Sequence, residues 1–84
     1  MTIARNIRIR EAMLIGTRGW NAGDGARAAS MSQQQWSSYR REASYPPGRE
    51  VQERICMALR LPPGALLWTA REIVEYPTSP ADPS

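Results

Sequence analysis

The sequence predicts an all-α fold, a compact five-helix domain over residues 1–76 with a short tail over 77–84. Apolar side chains recur three and four residues apart in stretches of helix length. Small polar residues suited to capping precede several of those stretches. Pro-Pro-Gly occurs twice, at 46–48 and 62–64, each time just before an apolar-periodic run, where proline suits a first helical turn.

The first helix is expected over about 3–15. Ile3, Ile7, Leu14 and Ile15 interleave with Arg5, Arg8 and Arg10, and Thr2 stands as a cap. An arginine-rich amphipathic start also suits a transit peptide or a membrane-surface helix. The apolar run Ala12 to Ile15 is too short for a signal or transmembrane segment, so a core helix is the expectation. These three arginines are expected to be solvated or ion-paired.

A short second helix is expected over 21–29, with Asn21 as N-cap and Asp24 in its first turn, where a carboxylate is favoured. Ala26, Ala28 and Ala29 would let another helix cross closely. After the break at Ser30-Met31, Ser32 caps a third helix over 32–41, Ser32-Gln33-Gln34-Gln35-Trp36-Ser37-Ser38-Tyr39-Arg40-Arg41. Trp36 and Tyr39 share its inward face. A fourth helix over 48–60 places Val51, Ile55, Ala58 and Leu59 toward helices 1 and 3. A fifth, over 63–75, carries Leu66, Ala70, Ile73 and Val74 on one face and leaves Trp68 off it. Pro77 to Ser84 holds three prolines and almost nothing apolar, which predicts a disordered tail.

Two helices joined by a tight turn make a helix-turn-helix unit, and the residues of its second helix suit reading DNA. A glutamine amide donates and accepts in the plane of one base edge, matching adenine in the major groove, and guanidinium groups attract phosphates. Gln33 and Gln34 are the base-reading candidates, with Ser37 and Ser38 one turn later. Arg18, Arg27, Arg40, Arg41 and Arg49 flank the unit as phosphate contacts, together with the backbone amides of Asn21 and Ala22. The plainer alternative is a solvated polar face on an ordinary core helix.

In this register the chain resembles the Cro and phage-repressor type of helix-turn-helix protein, the XRE or lambda-repressor-like family. Ala26 matches its small residue in helix 2, Ser30 stands at its turn, and Met31 is the apolar residue that follows. Ser32 is the polar cap, and Trp36 and Tyr39 fill the apolar positions four and seven residues on. Gln33 and Gln34 fall where several phage repressors place base-reading residues. Val51 to Leu61 with Pro62-Pro63-Gly64-Ala65-Leu66-Leu67 is similar to the family's helix 4, turn and helix 5. The sequence departs from the pattern at Gly25, usually a bulky apolar residue; at Ser30, usually glycine; at Arg40, often glutamate; and in the longer connection Gly16 to Gly19. A mid-helix glycine weakens helix 2, and Trp20 is expected to fill the space that Gly25 leaves.

The resemblance implies a sequence-specific double-stranded DNA-binding regulator, a repressor of phage or prophage type. It also implies a homodimer on a near-palindromic operator, joined through helix 5 around Leu67, Trp68 and Arg71. An antitoxin with the same fold, or a helical module that binds protein rather than DNA, remain as alternatives.

Charge agrees with the DNA reading. All eleven basic residues are arginine, and the net charge is +3. Residues 1–60 hold ten arginines against five carboxylates, a balance of +5, whereas residues 61–84 hold one against three, a balance of −2. Genome composition can explain the absence of lysine but not this distribution. The single cysteine, Cys56, excludes an intrachain disulfide, fits a core position and is compatible with a reducing cytoplasm. With no histidine and no second cysteine, neither a zinc site nor an activated nucleophile can be assembled from the usual groups. No cofactor and no enzymatic activity are expected.

Overall fold

The computed structural model describes residues 2–41 and 47–78. Pro46, in the first Pro-Pro-Gly, and residues 79–84 of the expected tail lie outside the described residues. Among those described, the chain is all-helical: α1 (Thr2–Arg18), α2 (Asp24–Ala28), α3 (Gln33–Arg40), α4 (Arg49–Ala58) and α5 (Ala70–Glu75), with a 3-10 turn at Ala65–Leu67. The Cα radius of gyration, 11.9 Å, equals the roughly 12 Å expected of a folded chain this long.

α1 is the organising element, packing against α3, α5 and the 3-10 turn. Ala4, Ile7 and Leu14 are buried along it, and the core continues through Ala26, Ala29, Trp36, Ile55, Cys56, Leu59, Leu66 and Ile73. Thr2 is already helical, and α1 runs past the expected end at 15 because nothing breaks it before Gly19, whose φ of +70° turns the chain. Most of the connection expected at 16–19 is therefore helix. The principal neighbours of α4 are α2 and the 3-10 turn, not helices 1 and 3 as the pattern suggested.

The expected helix 63–75 is divided. Trp68 and Thr69 are extended, and Thr69 begins α5 with a capping box: its hydroxyl accepts from the Glu72 amide at 3.2 Å, and Glu72 Oε1 accepts from the Thr69 amide at 3.0 Å. Leu66 and Ile73 are buried, but Val74 is exposed, so the four apolar residues do not share one face. Asn6 fastens this break to α1. Its Nδ2 donates to the Leu66 and Trp68 carbonyls, both at 2.8 Å.

α2 and α4 end in the same way. Met31 N donates to Ala26 O at 3.0 Å and Ser30 N to Arg27 O at 3.1 Å; Leu61 N donates to Cys56 O at 2.8 Å and Arg60 N to Met57 O at 3.2 Å. Both are Schellman ends, which favour glycine at the left-handed position. Here Ser30 (φ +57°) and Arg60 (φ +60°) occupy it, at a cost of roughly 1–2 kcal/mol each. Each end is clamped by an arginine from another helix. Arg54 donates to Ala29 O at 3.1 and 2.9 Å and also to Ser30 O. Arg10 donates to Leu59 O at 2.8 Å and Arg60 O at 3.0 Å.

Arg10 also reaches Tyr76 O and Pro77 O, each at 2.7 Å, and its guanidinium lies 5.5 Å from the Tyr76 ring centroid. It is not solvated and has no ion pair among the described residues, being fully buried against four carbonyls. Burial pulls its pKa below the ordinary value, and neighbouring Arg60 acts in the same direction.

Candidate nucleic-acid interface

The α2–turn–α3 unit forms as the spacing requires, with a shorter first helix. Asn21 belongs to a turn that precedes α2: its amide donates to Asp24 Oδ2 at 2.8 Å, and its Oδ1 accepts from Gly23 N at 3.1 Å. Gly23 is the N-cap. The Asn21 amide is thus occupied by a carboxylate within the protein, while Ala22 is exposed beside it.

The space above Gly25 is filled by Trp36, not by Trp20. A Cβ on Gly25 would lie 2.4 Å from Trp36 Cε2 and Cζ2. This close approach lets α3 seat its indole on α2, with Trp36 fully buried. Trp20 is half-buried and packs at the margin of the core.

α3 starts where its cap dictates, Ser32 Oγ accepting from Gln35 N at 3.1 Å. Its inward side is anchored to α1 through Glu11. Trp36 Nε1 donates to Glu11 Oε2 at 2.7 Å, and Arg40 Nε lies 2.8 Å from Glu11 Oε1. The Arg40–Glu11 contact is an ion pair by distance, but its N–H is not aligned as a hydrogen bond. The Arg40 carbonyl also accepts from Arg8 at 2.6 Å. Arg40, a candidate for phosphate, is therefore committed to the interior side of α3.

At 100° per residue, the side opposite Trp36 carries Gln34, Ser38 and Arg41. Ser32, Gln34, Gln35, Ser38 and Arg41 line one open concavity of about 330 Å³. Gln34 and Gln35 are exposed, Ser37 and Ser38 half-buried. Arg41 Nε donates to Ser37 O at 3.2 Å, which steadies the guanidinium beside the stripe. Gln33 stands apart. It is exposed, but its Nε2 donates to Ala22 O at 3.1 Å, tying the start of α3 to the turn before α2.

Comparison with family models, curated proteins and solved structures returns no match to this chain. The geometry therefore stands by itself.

The remaining candidates are dispersed. Arg27 is exposed and paired to Asp24 at 2.6 Å; Arg18 is exposed at the end of α1; Arg49 is exposed, 3.7 Å from Glu53. At the α5 end Leu67 is 65% exposed, Arg71 pairs with Glu75 at 3.2 Å, and Trp68 is half-buried edge-on to Tyr76 with centroids 5.6 Å apart. No described helix is long and apolar enough to cross a membrane.

Two residues that position this surface escaped the sequence reading. Gln35 shares the concavity with Gln34, and its place in the glutamine run was the available signal. Arg54 clamps the turn between α2 and α3 from α4; the only hint was serine where the turn favours glycine.

Proposed function

We propose that the protein is a sequence-specific double-stranded DNA-binding regulator of the lambda-repressor-like type, a repressor of phage or prophage kind, with α3 in the major groove. One observation carries the reading. The outward stripe of α3 is polar, with the Gln34 side chain making no hydrogen bond among the described residues, while its inward side is locked by Trp36, Gly25 and Glu11. A rigid helix offering an amide to solvent is what direct readout needs, because a base edge is recognised only by groups held in register.

In this reading Gln34 meets an adenine edge, with Ser38 and Gln35 beside it. Gln33 positions the helix through Ala22 as well as lying near the bases. Arg41, Arg18, Arg27 and Arg49 approach phosphates and carry no sequence information. A single helix of this length covers few base pairs, so the regulator acts as a two-fold homodimer with recognition helices about 34–36 Å apart. Exposed Leu67, with Trp68 and Arg71 beside it, is the apolar end available for that contact.

Selection of bound duplexes from a random pool tests the reading. A recovered near-palindromic site whose affinity falls with salt supports it; equal retention of all sequences opposes it.

A further inference from the structure

An open groove of about 560 Å³ lies between α2 and the end of α4, away from the α3 stripe. It is lined by Trp20, Asp24, Arg27, Met57, Ala58 and Arg60, with Ala28 completing the wall. Three features point to a ligand. Met57 is 79% exposed and lines the groove with a half-buried tryptophan, so the groove presents apolar surface that no described residue covers. Arg60 is exposed and makes no side-chain ion pair among the described residues. Arg60 also holds a left-handed backbone where glycine is the favoured residue. The Arg60 side chain lines the groove.

We infer that this groove binds an acidic, leucine-type segment of a partner protein, an aliphatic side chain lying between Trp20 and Met57 and a carboxylate pairing with Arg60. Charge complementarity selects this occupant. A guanidinium with no ion pair among the described residues favours an anion, and the apolar groups of Trp20, Met57 and Ala58 favour a side chain over a bare ion. Asp24 opposes the closely spaced charges of a nucleic-acid backbone while tolerating a single carboxylate opposite Arg60. The groove shares no lining residue with the α3 concavity, and of the phosphate candidates only Arg27 lies on its wall.

The test is titration of the whole chain with the capped hexapeptide Gly-Ser-Leu-Leu-Glu-Gly and its neutral copy Gly-Ser-Leu-Leu-Gln-Gly, followed by NMR at the Trp20 indole and the Met57 methyl. The acidic peptide is expected to shift both signals, and the neutral copy to bind about five-fold more weakly or worse. Arg60→Gln should lose the same factor, and Arg71→Gln should lose none. Arg60→Gly relieves the left-handed backbone, so it should fold at least as well as the parent and still lose the peptide. The proposal is overturned if no shift occurs, if both peptides bind alike, if Arg71→Gln matches Arg60→Gln, or if a DNA duplex moves the same signals and displaces the peptide.

Discussion

Gly25 and Trp36 are in direct contact, the indole lying where a side chain on residue 25 would be, with its nearest ring carbons 2.4 Å from an ideal Cβ. A glycine in a helix ordinarily costs stability relative to alanine, by about 1 kcal/mol. Here that preference should reverse. Gly25→Ala is expected to destabilise the domain by about 1–3 kcal/mol through overpacking, and to cost less when introduced into a Trp36→Leu background than into the parent. Denaturant unfolding of the single and double variants checks this; a stabilised Gly25→Ala would contradict the packing.

Glu11 joins α1 to α3 through two partners, the Trp36 indole and Arg40. Glu11→Ala leaves a buried N–H without an acceptor, and is expected to cost about 2–3 kcal/mol. Glu11→Gln retains one acceptor for the indole and should cost less. Equal losses in chemical denaturation would show that the charge, not the indole hydrogen bond, holds α3.

Ser30 and Arg60 hold left-handed conformations that glycine adopts freely. Ser30→Gly and Arg60→Gly are each expected to stabilise by about 1 kcal/mol, less the entropy glycine adds to the unfolded chain. Arg54→Ala should destabilise Ser30 variants less than the parent, because the clamp matters most where the turn is strained. Thermal unfolding of the double-mutant cycle measures this coupling.

Cys56 is buried, and burial pushes its thiol pKa above the ordinary 9.0, although backbone hydrogen bonds near Leu66, Ala65 and Gly64 oppose the shift. The folded state therefore keeps its proton to higher pH than the unfolded state. Its contribution to stability is whole below pH 9.0, falls as pH rises above that, and is lost through the raised folded pKa. Cys56→Ala should show a smaller alkaline loss than the parent, and the parent thiol should resist a disulfide reagent at neutral pH until it unfolds.

Much of this architecture is legible in local pattern. The Ser32 cap, the inward Trp36 and the order of five helical segments follow from chemistry within a few residues. Sequence reading missed what depends on distant partners: the Trp36 seat on Gly25, the four carbonyls around Arg10 and the clamp from Arg54 join residues far apart in the chain. The Thr69–Glu72 capping box is local and was legible, but a continuous apolar pattern across 66–74 masked it. At the candidate interface, composition marked the glutamines, whereas only the hydrogen bond to Ala22 separates Gln33 from Gln34.

The central claim is that Gln34 reads a base while the flanking arginines meet phosphates. Its most direct test is the affinity of the parent and Gln34→Ala for the selected duplex and for random duplex, across a range of salt. Gln34→Ala is expected to lose about 1–3 kcal/mol on the selected site alone, with the slope of log affinity against log salt unchanged. Arg41→Ala should lower that slope by about one on both duplexes. Equal losses for Gln34→Ala on selected and random DNA, or no binding by the parent to either, would contradict the account.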